Sequence, residues 1–448
     1  MSVRTSLLAL TTALTVVVAS PAVADPGGTP ASAAPLAAAF DTAAARYDVP
    51  RDLLVALGYA ESRLDPHGGA ASTAGGYGLM HLATDRTLDE AATLTRLSPA
   101  TLRADTAANV LGAAAVLRSY ADQAGLTTPA RDDVNGWYVP VARYGGAAEP
   151  SVARLYADTV YDLLRVGIAP TSGEAVAGRP VAPRRGALER AAVPGGVGTL
   201  STDYGPAAWA PASTSNYTVA SRPGSHPVNR VVIHFAQGSY AGTISWFQNP
   251  AAQASAHYTV RSSDGAVTQS VREKDIAWHA GNWTYNTQSV GIEHEGYVDN
   301  PAWFTDAMYR QSATLTRNLT TKYGIPRDRA HIIGHNEVPG ATHTDPGPNW
   351  NWTYYLQLVN GITGIGSGTV NTSASTLNVR SGPGASYPVV GSIADGATVS
   401  IYCQAVGSTV TGPYGTTSVW NRIGTNRYVS DAYLLTGYDG YIPNVPRC

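Results

Sequence analysis

Two stretches, "NRVVIHFA" (residues 229–236) and "HIIGHNEVPGATHTDPGP" (residues 331–348), decide how the middle of this chain folds. Each carries a short apolar run of β-branched residues, Val231-Val232-Ile233 and Ile332-Ile333, as a buried strand does. Each run ends at a histidine, His234 or His335. One histidine on such a strand is ordinarily a hydrogen-bonded core residue. Two of them together with Asp345, set in "TDPGP", form a candidate metal set. Pro346 and Pro348 restrict φ and Gly347 permits a tight turn, so the carboxylate is held stiffly. Two histidines and one carboxylate with an open fourth position are a catalytic zinc arrangement.

The segments between these stretches alternate in type. "SAHYTVRSSDGAVTQSV" (255–271) reads as a hairpin turning at Asp264-Gly265. "SVGIEHEG" (289–296) reads as a strand carrying Glu293, with Glu295 a competitor for any role given to Glu293. "FTDAMYRQSATLTRNLTTKYG" (304–324) reads as a helix capped by Thr305 and ended by Gly324. Seven of the ten histidines lie between 234 and 343, which places the chemistry in this region.

The chain has 448 residues, enough for about three domains. A formal charge of -2 argues against nucleic acid as a partner. Arg4, the apolar run from Leu7 to Val18 and Ala22-Val23-Ala24 predict a secretory signal over 1–24. Later apolar runs are too short to span a bilayer, so a secreted, extracellular protein without a membrane anchor is expected, and a monomer. Two cysteines in an exported chain predict one disulfide, Cys403–Cys448. The expected layout is a linker at 25–36, a helical domain at 37–167 and a Pro- and Gly-rich linker at 168–200. A mixed α/β domain at 201–362, a linker at 363–371 and a small all-β domain with a tail at 372–448 follow.

The ordered motifs "VVIHFAQGSYAGTISWFQNP", "SAHYTVRSSDGAVTQSV", "DIAWHAGNW", "SVGIEHEG" and "IIGHNEVPGATHTDPGPNW" closely resemble the zinc N-acetylmuramoyl-L-alanine amidases shared by phage lysozyme-amidases and peptidoglycan recognition proteins. The resemblance implies a mixed central sheet flanked by helices, with Zn2+ held by His234, His335 and Asp345. It makes Glu293 the general base and His343 the group that stabilises charge on the scissile carbonyl. Trp278, His279 and His257 are read as substrate-binding residues, His294 and His331 as structural. Glu337 is read as a loop residue.

In the first domain, Leu54, Leu57 and Glu61 share one helix face, with Asp48 a possible cap. Desolvation on that face favours the protonated acid. "ESRLDP", "ASTAGGYGLMHL" and "VARYGG" resemble the lysozyme-like lytic transglycosylases, which implies Glu61 as a lone acid acting on the glycan strand. The sequence departs from that family at His81 and at "YGGAAEP", so a glycan-binding domain is the other reading. "TLNVRSGPGASYPVVGSIADGATVSIYCQ" closely resembles bacterial SH3-type wall-binding domains, with Tyr387, Trp420 and Tyr428 as candidate contacts and core packing favoured for Trp420. The whole reads as a secreted, cell-wall-associated peptidoglycan hydrolase. A non-catalytic peptidoglycan sensor and a zinc endopeptidase remain as rivals.

Overall fold

The computed structural model describes residues 34–84, 86–171, 173–191, 202–373 and 375–448. The expected signal at 1–24 lies outside the described residues. The N-terminal domain is helical, led by Ala34–Tyr47, Arg51–Ser62, Thr106–Gln123 and Pro150–Val166. Thr106–Gln123 starts where the Asp105 side chain accepts the Ala108 N–H, which satisfies one free donor of the first turn. Asp48 is not a cap: Pro50 takes the N-cap position of Arg51–Ser62, and Asp48 instead pairs with Arg118 and Arg131. The expected linker at 168–200 is partly folded. Ile168–Thr171 and Glu174–Val176 pair as an antiparallel hairpin, because Ile168 and Val176 bury in the helical core and Glu174 takes Arg51 at 2.8 Å.

The middle domain is built on a six-stranded mixed sheet. Its order is Ile332–Gly334, Arg230–Ile233, Ser289–His294, Tyr258–Val260, Val267–Gln269, Ala208–Trp209. The first four run parallel, and Tyr258–Val260 turns back through the expected hairpin onto Val267–Gln269. Parallel strands are covered on both faces, which is why they read as continuous apolar runs. Helix Asp306–Tyr323 packs on the sheet through Met308, Leu315 and Leu319. Thr305 accepts the Met308 N–H at its start, and Gly324 closes it at φ 66°.

Register fixes the site. Ile233 pairs with Ile292 on one side and Gly334 on the other. The next residues along, His234, Glu293 and His335, therefore lie abreast at or near the carboxyl ends of three adjacent parallel strands. Open α/β sheets bind ligands at that edge.

The C-terminal domain is all-β, a five-stranded and a three-stranded sheet with antiparallel pairing. The stretch 363–371, expected as a linker, contributes strand Gly366–Val370, whose Val370 enters the small core. Its Gly and Thr content masked the alternation that marks a strand. Trp420 is buried and donates to the Ser408 carbonyl, so it packs, whereas Tyr387 is exposed.

The three domains pack on one another. Tyr240, Ala241 and Ile244, on helix Tyr240–Gln248 of the middle domain, belong to the core of the N-terminal domain. Arg63 lies 4.1 Å over the Trp303 ring, and His67 stacks on Tyr297 at 3.5 Å. On the other side Arg310 donates to the Tyr402 carbonyl, and Cys403 is part of the middle domain's core. No helix among the described residues is long and apolar enough to cross a membrane.

Cys403 and Cys448 are bonded across 45 residues, tying the tail to the last domain. Loop closure of that length contributes up to about 4 kcal/mol. Cys403→Ser is expected to lower the unfolding free energy of the C-terminal domain by up to that amount, measured by denaturant titration. Reductant should do the same to the wild type and have no further effect on the variant.

Candidate metal centre and catalytic site

His234, His335 and Asp345 are buried, and one ligand atom from each lies within 4.8 Å of the others. The Asp345 carboxylate spans the two rings, with Oδ2 3.4 Å from His234 Nδ1 and Oδ1 3.0 Å from His335 Nδ1. Oδ2 also accepts the Phe235 N–H at 3.1 Å. Burial opposes the charge on Asp345, but hydrogen bonds from His234 and His335 outweigh it and hold the acid well below the carboxylate range. Burial, with the neighbouring His335 ring, brings His234 down to about 4 against the pull of Asp345. The site thus holds an ionised carboxylate and a neutral imidazole, the protonation states that metal binding needs.

The loop that carries Asp345 is locked by its backbone. Asn336 N–H donates to the Asp345 carbonyl, and Gly347 N–H donates to Thr344. Gly347 sits at φ 76° with its Cα against Val298, where an added Cβ would come within 2.7 Å of the valine Cβ. Glu337 is turned away, accepting from the Gly334 N–H and from Arg329, as befits a loop residue.

Above the three residues lies a cavity of about 270 Å3. Glu293, His343, Trp278 and His279 line it with His335 and Asp345. Two buried polar atoms in this lining, Glu293 Oε2 and His335 Nε2, have no partner in the protein. Such orphaned groups are costly unless something binds them, so the donor set fits a metal ion with a reacting group beside it. Burial first, and the Asp345 charge second, push the Glu293 carboxyl well above the ordinary range. His343 is exposed and stacks on His335 with ring centroids 4.7 Å apart.

His279 does more than line the cavity. Its Nδ1 is 2.9 Å from His234 Nε2, and its Nε2 meets Ser289 Oγ at 3.2 Å. It therefore fixes which way the His234 ring faces, a support that the sequence motif does not reveal. His257 is not in the cavity, contrary to its reading as a substrate-binding residue. It is fully buried, with Nε2 2.6 Å from Arg222 and Nδ1 accepting the Gly291 N–H. Both ring nitrogens are used in the core. Glu295 is likewise absorbed, accepting the Tyr240 N–H at the start of helix Tyr240–Gln248 and the Ser262 N–H just beyond strand Tyr258–Val260. His294 bridges the His234 carbonyl and Ser312.

Glu61 lies in a second cavity of about 250 Å3, at the junction of the first two domains. It is only 3% exposed. Tyr156 donates its hydroxyl to Oε1, and Ser239 Oγ of the middle domain donates to Oε2 at 2.9 Å. His81 Nδ1 is 3.9 Å away. Ser239 is 178 residues from Glu61 in sequence, so local pattern could not find it.

Residues 224–348 match the N-acetylmuramoyl-L-alanine amidase family, 38–144 the transglycosylase SLT domain and 375–435 the bacterial SH3 domain. N-acetylmuramoyl-L-alanine amidase A of Achromobacter lyticus is 42% identical over 178 residues, covering 36% of this chain and 97% of that protein. The 1,6-anhydro-N-acetylmuramyl-L-alanine amidase AmpD of Citrobacter freundii is 40% identical over 111 residues, 23% of this chain and 57% of that protein. A crystal structure of an AmpD derivative aligns over 35% of this chain and 96% of its own, at 29% identity and a TM-score of 0.30. The chain belongs to the N-acetylmuramoyl-L-alanine amidase family of enzymes, joined to an SLT domain before it and a bacterial SH3 domain after it.

Partners that orient a histidine ligand typically change metal affinity about 10–100-fold when removed. His279→Ala is expected to weaken zinc binding by that factor, measured by competition with a chromogenic chelator. Affinity equal to wild type would show that the His234–His279 contact plays no part in the metal site.

Proposed function

We propose that this chain is an exported, zinc-dependent peptidoglycan hydrolase that cleaves the amide between N-acetylmuramic acid and the L-alanine of the stem peptide. The observation that carries the reading is the unpartnered, buried Glu293 Oε2 beside the His234–His335–Asp345 set. Those three residues would hold the ion, and zinc there would polarise the scissile carbonyl and make water a better nucleophile near neutral pH. Glu293 takes the proton of the attacking water at Oε2, for which its raised proton affinity suits it. It then returns that proton to the departing alanine nitrogen. His343, at the cavity mouth, donates to the carbonyl oxygen as negative charge grows. Trp278 and His279 flank the stem peptide. A non-catalytic sensor has no use for an unpaired buried carboxylate at this point.

The Glu61 cavity supports a second activity in the N-terminal domain. Glu61 would protonate the glycosidic oxygen and then accept the proton of the muramyl 6-hydroxyl, leaving a 1,6-anhydro end. The SH3 domain tethers both sites to the wall, which raises the local concentration of substrate without adding a contact to the chemistry.

Glu293→Gln is expected to lower kcat for stem-peptide release about 10^2–10^4-fold with KM little changed. A kcat within a few-fold of wild type would remove Glu293 from the mechanism. For the second site, anhydro-muramyl products from purified walls should vanish in Glu61→Gln and persist in Asp345→Ala. Their absence from the wild-type digest would leave the N-terminal domain as a glycan binder.

A further inference from the structure

The two cavities adjoin, and each is walled by the other's domain. Ala74 and Trp246 line both. Thr73 of the N-terminal domain reaches into the cavity of the metal set and donates its hydroxyl to the Ala236 carbonyl. In return, helix Tyr240–Gln248 of the middle domain divides its faces between the two. Gly242, Ser245 and Gln248, three residues apart, line the Glu61 cavity. Thr243, Trp246 and Phe247 line the other. Positions three and four apart share a helix face, so one helix serves both sites at once.

Two features on this helix point to a ligand. Gln248 is 7% exposed, and its Oε1 is buried with no partner in the protein. Trp246 is half-buried and keeps part of its indole open between the cavities, lining both. An apolar ring face with a polar edge and a free amide acceptor suits a ligand with apolar faces and hydroxyl or N-acetyl groups at its rim. At about 250 and 270 Å3, each cavity falls below the roughly 300–1,000 Å3 usual for ligand sites, whereas joined they fall within it.

We infer that the two cavities are one cleft for a polymeric amino-sugar strand. The strand lies across Trp246, with one sugar beside Glu61 and Gln248. A neighbouring muramyl residue directs its stem peptide into the His234–His335–Asp345 cavity. The N-terminal domain thereby supplies a glycan subsite to the amide-cleaving centre. This rests on the amidase reading above and adds that chain length of the glycan is recognised.

The test uses the full chain in a Glu61→Gln background, so that the glycan stays intact. Stem-peptide release is compared between a peptide on N-acetylmuramic acid alone and the same peptide on a tetrasaccharide of alternating N-acetylglucosamine and N-acetylmuramic acid. kcat/KM is expected to be at least about tenfold higher on the tetrasaccharide. Ala148→Trp, at an exposed position on the rim of the Glu61 cavity, should erase that advantage and leave the monosaccharide rate unchanged, and Gln248→Leu should shrink the advantage. Equal values on the two substrates, or an advantage that survives both variants, would overturn the inference. Release of peptide from neither substrate would contradict the amidase reading instead. Calorimetry with the peptide-free tetrasaccharide then decides the cleft: binding that Ala148→Trp abolishes supports it, and no binding, or binding that Ala148→Trp leaves intact, overturns it.

Discussion

The carboxylate of Asp345, held between two imidazoles and one backbone N–H, is the constraint on which the site depends. It ties three separate segments to one point: the end of strand Arg230–Ile233, the end of strand Ile332–Gly334, and the loop that follows. A buried ionised acid and two rings must be mutually satisfied, and His335 Nε2 remains unpaired even so. A cation held by these three residues would meet the charge of the carboxylate.

The parallel register makes the rest of the centre follow. Once Ile233 pairs with both Ile292 and Gly334, Glu293 stands next to His234 without further adjustment. Glu293 and Glu295 then take different roles although only one residue separates them. Glu295 is consumed by two backbone N–H groups, one at a helix start and one in the turn after a strand, which leaves Glu293 as the carboxylate with an unclaimed oxygen. Desolvation with no compensating hydrogen bond raises its proton affinity, the property a general base near neutral pH requires.

Much of this was legible in the sequence because it is local. Strand runs, the Thr305 cap, the Gly324 stop and the stiff "TDPGP" turn are all written within a few residues, and the three domains declare themselves by their motifs. What escaped was long-range. His257 looks like a groove residue until Arg222 and the Gly291 N–H are seen to occupy both its nitrogens. His279 looks like a wall residue until its contact with His234 appears. The strand at Gly366–Val370 is stabilised by partners at 398–401 and 434–435, and its own composition reads as a linker. The packing of helix Tyr240–Gln248 into the N-terminal core, with Ser239 on Glu61, joins residues nearly two hundred positions apart. No window of sequence contains such a contact.

The most direct check on the metal centre is element-specific anomalous diffraction at the zinc edge from crystals of the full chain grown with one equivalent of zinc. The account predicts a single strong peak within bonding distance of His234, His335 and Asp345, with Glu293 beside the open position and not bonded. A zinc peak held by other residues, or none between these three, would contradict it.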